Sequence, residues 1–206
     1  MNTRLIWNFE INSDNPLNLE NLSEAKDALR WESRFFWGQD EIIQLNGLTP
    51  SFLQLSHYEI KHREDRYVLV DGLQNIKYRK DQLLYKPLLQ QKESLCGFGK
   101  KINLAHSSLH EPLPGTAETT ERLLATIKEK SIEVLVHKEA LVCAFPGTPT
   151  IKLELARLRI DEGVYFSVCI EGRAERLVAS ITQQILGKRA SSDYVHFLKK
   201  VLHYDQ

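Results

Sequence analysis

Charged side chains recur at alternate positions along residues 57–87, which read HYEIKHREDRYVLVDGLQNIKYRKDQLLYKP. Alternate side chains of a strand point to the same face, so this segment would carry rows of charge. Cations that converge on one place can hold phosphate oxygens, and the fork of an arginine binds two oxygens at once. The basic residues that could do so are Arg63, Lys77, Arg79 and Lys86, with Lys138 from a later strand.

Three glutamates on other predicted strands are candidate ligands for a divalent metal ion: Glu32, Glu154 and Glu171. Magnesium prefers oxygen ligands and keeps several waters, so two or three carboxylates suffice to hold it. Such an ion would neutralise charge on a phosphate and could activate water for in-line attack. Asp65 and Tyr67 are expected to support neighbouring side chains by hydrogen bonds.

Two short breaks, Asp71-Gly72 and Lys80-Asp81, divide the charged segment into predicted strands near 57–70, 73–79 and 82–86. Asp-Gly is a strong hairpin signal, because both residues tolerate positive φ, so the three strands should form an antiparallel meander. Both faces of this ribbon carry charge or polarity. Either the ribbon is in water on both sides, or it lines a polar cavity.

Residues 30–37 (RWESRFFW) also alternate. The charged positions 30, 32 and 34 fall on one face, and the aromatic positions 31, 35 and 37 fall on the other. The charged row would be either solvated or turned inward. In the same way, a later segment has Ser167 and Glu171 on one face and Phe166, Val168 and Ile170 on the other face.

Hydrophobic periodicity and turn residues predict the remaining elements. They indicate about eight or nine antiparallel strands with a charged inner face, whose apolar outer face packs under helices. The fold class is therefore predicted as α+β, with an antiparallel eight-stranded tunnel-like β-barrel and flanking helices. Further strands are expected over 3–11, 30–37, 98–105, 132–138, 140–145, 150–160 and 164–171, and helices over 19–29, 40–53, 116–130 (capped by Thr116), 173–186 and 192–203.

Composition limits the classes of function. The 206 residues carry equal numbers of basic and acidic side chains, whereas a dedicated nucleic-acid binder usually has a basic excess, so nucleic acid is not the expected partner. The three cysteines are widely spaced without a CxxC pair, and this predicts a reduced, cytoplasmic protein. The N-terminus lacks the apolar core of a signal peptide, and no apolar run approaches the roughly 18 residues of a membrane span, so no membrane partner is expected.

Two further segments only partly match the motifs of a phosphate loop and of a metal site. Residues 97–101 (GFGKK) lack the GxxxxGK[ST] spacing of a phosphate loop. His106 and His110 have the i, i+4 spacing of a ligand pair, but they precede Pro112 in an irregular stretch, where a metal-binding helix is not expected.

The ordered set of segments resembles the CYTH superfamily, the triphosphate tunnel metalloenzymes. RWESRFF is similar to the opening strand of that family, whose signature is Glu-x-Glu-x-Lys followed by Phe. The charged meander, VHKEAL and IKLELARLRIDEGVYFSVCIEG resemble its later strands in the same order, over roughly residues 28–187. The resemblance implies a single domain over 1–206, with an N-terminal extension 1–27 and C-terminal helices within 173–206.

The resemblance also implies a chemistry. Family members include thiamine triphosphatases, inorganic tripolyphosphatases and a class of adenylyl cyclases, with basic residues for a triphosphate and carboxylates for magnesium or manganese. Arg34 matches the signature's lysine and would contact the substrate. Arg30, however, stands where the signature has its first glutamate, and so replaces an expected metal ligand by a cation.

Two functions from different classes follow. The first is a metal-dependent hydrolase of a triphosphate-containing small molecule, either inorganic tripolyphosphate or an organic triphosphate. The alternative is a non-catalytic phosphate or polyanion-binding module on the same fold, which has lost the metal through Arg30. In both, the expected partner is a small-molecule triphosphate or polyphosphate. A carrier of a neutral ligand fits poorly with so many inward charges. The sequence leaves the oligomeric state open.

Overall fold

Strands dominate the part of the chain that this computed structural model describes, residues 2–18, 23–92 and 94–204. Alternating apolar and polar residues produce them, as expected for chains that bury one face of a sheet. The strands are β1 Asn2–Ile6, β2 Phe9–Asn12, β3 Arg30–Gly38, β4 Ile43–Asn46, β5 Glu59–Leu69, β6 Asn75–Arg79, β7 Gln82–Lys86, β8 Leu88–Lys92, β9 Leu95–Phe98, β10 Ile102–Asn103, β11 Ile132–Ala144, β12 Ile151–Ile160 and β13 Gly163–Gly172. The helices are α1 Thr120–Lys130, α2 Glu175–Leu186 and α3 Tyr194–Val201.

Ten strands form one antiparallel sheet in the order β10-β7-β6-β5-β11-β12-β13-β3-β9-β8, and it curls into a half-barrel. The α+β class is as predicted, but the closed barrel of eight strands is wrong. One cause is Pro87, which separates β7 from β8 and has no amide hydrogen to give to a neighbouring strand. β7 pairs with β6 and β10, whereas β8 pairs with β9.

The N-terminal segment forms a separate three-stranded sheet, β1-β2-β4, against the outer side of the half-barrel. Residues 3–11 are a hairpin rather than one strand, because Trp7 adopts a positive φ of 48° and turns the chain back. The rings of Trp7 and Phe9 pack on Phe166 of β13, with centroids 6.5 and 5.8 Å apart. The sheet therefore covers one apolar surface of the half-barrel.

Several predicted elements need correction. The helix expected over 40–53 is instead the strand β4 followed by two 3-10 turns, because Ile43 and Leu45 alternate with exposed residues. Of the helix predicted over 19–29, residues 19–22 lie outside the described residues, and 23–29 are not helical. The helix α1 is capped by Thr119, whose side chain accepts from the amide of Arg122, rather than by Thr116.

The other strands differ mainly in their limits. The strands predicted over 132–138 and 140–145 are one continuous strand, β11, and the strand over 98–105 is divided into β9 and β10. The strand β8 was not predicted.

The apolar face of β3 and β13 points away from the inside of the half-barrel, as predicted. Phe166, Val168 and Ile170 belong to a buried cluster with residues of α2 and of the three-stranded sheet. Burial of such side chains stabilises the fold by about 1.5–3 kcal/mol each.

The helix α3 lies on the opposite face of the sheet, although flanking helices were expected only outside it. Val195, Phe197 and Leu198 pack against inward residues of β5, β11 and β12, among them Val136 and Leu158. Part of the inner face is thus apolar and filled by α3. The remaining part carries the charged residues.

Candidate functional site

The inner face of the half-barrel encloses a cavity of about 540 Å³. All nine residues that the sequence singled out line it, and their roles stay predictions. They are Glu32, Arg34, Arg63, Lys77, Arg79, Lys86, Lys138, Glu154 and Glu171.

Strand register explains why residues distant in sequence meet here. Glu32 of β3 stands directly opposite Glu171 of β13, and Arg63 of β5 stands opposite Lys138 of β11. Opposite side chains on one face of an antiparallel pair have their Cβ atoms about 4.5–5.5 Å apart. A one-residue shift of any of these strands would turn its charged row to the outer face.

The cavity is strongly basic although the chain is neutral overall. Twelve basic and five acidic side chains line it among the described residues, an excess of seven positive charges when all are ionised. The chain as a whole has a formal net charge of zero. The basic residues are Arg30, Arg34, Lys61, Arg63, Lys77, Arg79, Lys86, Lys100, Lys101, Lys138, Lys152 and Arg173, and the acidic ones are Glu32, Asp65, Glu154, Glu171 and Asp193.

Asp65 is a hydrogen-bond acceptor for two of the lining cations. It accepts hydrogen bonds from Lys77 Nζ at 2.9 Å and from Arg79, and Lys77 also donates to the Tyr67 hydroxyl at 3.3 Å. This is the supporting role that the sequence predicted for Asp65 and Tyr67.

Burial and charge have opposite effects on the two members of this pair. Burial acts to raise the pKa of Asp65, but the cations of Arg79 and Lys77 outweigh it and lower the pKa to about 2. Burial lowers the pKa of Lys77 to about 7, although Asp65 opposes the shift. The ammonium group of Lys77 can therefore lose its proton near neutral pH.

Glu154 is held by two cations. Arg34 Nη1 donates to Oε1 at 3.0 Å, and Lys138 Nζ donates to both carboxylate oxygens at 3.0 Å. Arg34 Nη1 also donates to the Ser167 hydroxyl at 3.1 Å. Burial of Glu154 would raise its pKa, but Arg34 and Lys138 hold the pKa far below its ordinary value. Glu154 is thus an ionised partner for these cations.

The three predicted metal ligands do not come together as one set. Glu32 and Glu171 lie with Cys169 in a group whose potential ligand atoms are all within 4.8 Å of one another. Glu154 does not belong to this group, which is the only such group of acidic, histidine or cysteine residues in the described parts of the chain.

The donor set of this group does not fit a divalent metal. Lys86 Nζ donates to Glu32, and Arg30 donates to both oxygens of Glu171 at 2.8 and 3.2 Å. Each carboxylate is therefore already paired with a cation that would repel the ion. Burial raises the pKa of the Cys169 thiol well above its ordinary value, so it supplies no negative charge.

Five of the lining cations have no ion-pair partner within the described residues. Arg63 projects from β5, Lys152 from β12, and the others come from loops. Burial, with the nearby charges of Arg79 and Lys86, lowers the pKa of Lys101. Cations without carboxylate partners are available to an anionic ligand. The five are Arg63, Lys100, Lys101, Lys152 and Arg173.

The sequence missed the contribution of the segment that leads into α3. Tyr194 lies under Arg34, whose guanidinium carbon is 4.8 Å from the ring centroid. Its hydroxyl is buried and has no hydrogen-bond partner among the described residues, as is true of Oδ1 of Asn75, and both residues line the cavity. The helix could be predicted from its pattern, but nothing in the sequence places it inside the half-barrel.

Residues 97–101 form no phosphate loop, and His106 and His110 form no metal site. Residues 97–101 leave β9 without entering an α-helix, so there is no phosphate-loop geometry, although Lys100 and Lys101 reach the cavity. His106 ends a short 3-10 helix, and His110 is exposed beside Glu121.

Comparison with known proteins adds little to this description. No protein-family model matches the chain, and no curated protein matches it. A crystal structure from Bacillus halodurans, described as that of "a putative adenylate cyclase", is 9% identical and covers 89% of this chain and 94% of its own, with a TM-score of 0.37. A likeness at this score carries no argument. None of the helices in the described residues is long and apolar enough to span a bilayer.

Proposed function

We propose that this chain binds the triphosphate group of a small molecule, or inorganic polyphosphate, in the cavity of the half-barrel. The observation that carries the proposal is the excess of seven positive charges in the lining of a chain with zero net charge. Five of these cations lack a carboxylate partner in the described structure, so binding need not break an existing ion pair.

The size and polarity of the cavity favour a small, highly charged ligand. A volume of about 540 Å³ lies within the roughly 300–1,000 Å³ that small-molecule sites occupy. Seventeen of the 27 lining residues in the described parts of the chain are charged, whereas sites for neutral ligands are lined predominantly by apolar side chains. Partly buried cations bind phosphate more strongly than exposed ones, because water and salt screen them less.

Hydrolysis of the bound triphosphate is the second candidate function. The close approach of Glu32 and Glu171 favours it, and the CYTH resemblance implies magnesium or manganese at such a pair. Against it, both carboxylates are paired with cations, and a metal ion there would be repelled by Lys86 and Arg30. Binding without catalysis is therefore the preferred proposal.

Family and location are proposed on the same basis. The ordered motifs support a divergent member of the CYTH superfamily. The three cysteines are free and buried, which supports a reducing compartment such as the cytoplasm.

A thermal-shift and phosphate-release experiment tests the proposal. Tripolyphosphate should raise the melting temperature, because a ligand that binds only the folded state stabilises it by mass action. Sulfate at the same ionic strength is the control for general anion effects. Release of phosphate from a panel of triphosphates, with and without magnesium or manganese, then separates a hydrolase from a binder. An equal shift with sulfate would count against a triphosphate site.

A further inference from the structure

We infer that Arg30 takes the place of a divalent metal, so that the cavity binds polyphosphate in a metal-independent manner. This inference rests on the proposed function, and it specifies what that site needs in order to bind. A site built on carboxylates requires a metal to bridge them to an anionic ligand. Here a side chain of the protein already stands in that position.

The contact between Arg30 and Glu171 involves both oxygens of the carboxylate. Arg30 Nε donates to Oε2 at 3.2 Å and Nη2 donates to Oε1 at 2.8 Å. Such two-point contacts between a guanidinium and a carboxylate are among the strong hydrogen-bonded pairs in proteins. A metal ion at Glu171 would lie beside the Arg30 cation, which repels it.

Glu32 is neutralised in the same way. It is 9% exposed and accepts a hydrogen bond from Lys86. The two glutamates thus bring two negative charges, and Arg30 and Lys86 balance them without an ion.

Arg30 retains donors for a ligand. A guanidinium has five N–H donors, and the two bonds to Glu171 use two of them. Its side chain is 44% exposed, whereas that of Lys138, deeper in the cavity, is 8% exposed. The free Nη1 edge can therefore donate to a phosphate oxygen at the more open side of the cavity, next to the carboxylates it neutralises.

Titration calorimetry with tripolyphosphate tests the inference directly. The affinity should be the same within about twofold, a change below about 0.4 kcal/mol, in the presence and absence of excess chelator. Added magnesium should weaken binding, because it pairs with the free ligand. Binding that appears only when a divalent ion is added would overturn the inference and leave the proposed function intact. Absence of binding in both conditions would overturn the proposed function as well.

A second measurement does not depend on the phosphate ligand. Titration of Mn²⁺ into the parent chain, followed by electron paramagnetic resonance, should show no saturable binding near Glu32 and Glu171. Arg30→Glu should create a saturable Mn²⁺ site, and Arg30→Gln, which removes the cation without adding a carboxylate, should bind Mn²⁺ more weakly than Arg30→Glu. Saturable binding by the parent that is lost in Glu171→Gln would overturn the inference. The melting temperature of each variant establishes that it is folded.

Discussion

Arg30 of β3 and Glu171 of β13 are diagonal neighbours on one face of the sheet, joined by two hydrogen bonds of 2.8 and 3.2 Å. A glutamate in place of Arg30 would add a third carboxylate beside Glu32 and Glu171, and such a group would attract a metal ion. With arginine in that position, the local charge is balanced internally. This relationship is the reason to prefer phosphate binding over metal-dependent hydrolysis.

Replacing Arg63 by alanine should weaken tripolyphosphate binding by at least about tenfold, because an unpaired cation that faces the cavity is lost. Arg66→Ala is the matched control. It lies on the same strand but outside the cavity lining, paired with Glu133 on an exposed surface. Calorimetry on both variants checks the prediction. Equal losses of affinity in the two would place the ligand elsewhere.

Lys77 should take up a proton when a polyphosphate binds. Its lowered pKa of about 7 leaves part of the population uncharged at and above neutral pH, and a nearby phosphate would favour the ammonium form. Lys77→Arg should bind without this uptake, because arginine stays protonated. Calorimetry in two buffers of different ionisation enthalpy measures the difference, and the ligand's own titration cancels between the two proteins. Identical uptake would show that Lys77 is already fully charged or lies away from the ligand.

The Asp65 cluster should make stability depend on acid pH. Because the folded pKa of about 2 is below the ordinary value of 3.8, Asp65 contributes stability above 3.8 and loses it as the pH falls to about 2. Asp65→Asn should lower the free energy of unfolding at neutral pH by about 3–5 kcal/mol, since Lys77 and Arg79 lose their buried partner. Between these two pH values its stability should change less than that of the parent. Urea unfolding across this range measures both effects, and parallel curves would contradict the assignment.

Tyr194→Phe should weaken ligand binding without lowering the free energy of unfolding. The hydroxyl is buried without a partner, so its removal should leave the free energy of unfolding unchanged or raise it by up to about 1 kcal/mol. If the hydroxyl donates to a phosphate, affinity should fall about tenfold.

Tyr85→Phe is the control for this prediction, because it should lower stability without changing affinity. Its hydroxyl donates to the Pro114 carbonyl at 2.8 Å, and the residue is not in the cavity lining. Stability should fall by about 1 kcal/mol while affinity stays constant. Chemical unfolding and calorimetry on the two variants give both readouts, and an unchanged affinity in Tyr194→Phe would remove this residue from the site.

The sequence was most informative where alternation and a tight turn act together. Residues 59–86 show both, and the Lys80-Asp81 turn has the positive φ values, 49° and 59°, that a two-residue hairpin needs. This fixes the register of Lys77 and Arg79 against Leu84 and Gln82 of β7. The alternation at 30–37 likewise separated the charged row from the aromatic row.

Other features depend on contacts that a local pattern does not contain. The apolar run around Ile43 is too short for its pattern to distinguish a helix from a strand. In the structure it pairs with β2 and is therefore a strand. The reversal at Trp7 requires a backbone angle that its residue type does not predict. The pairing of cations with carboxylates depends on residues that are far apart in sequence. Lys86 and Glu32 are 54 residues apart, and Arg30 and Glu171 are 141 residues apart.

Titration calorimetry of tripolyphosphate into the parent chain, in the presence of excess chelator, is the decisive test of metal-independent phosphate binding. A cavity with cations that lack a partner among the described residues should bind one tripolyphosphate per chain, with an affinity that falls as salt is added and falls again in Arg63→Ala but not in Arg66→Ala. Absence of saturable binding, or binding that Arg63→Ala and Arg66→Ala weaken equally, would show that the cavity is not a tripolyphosphate site.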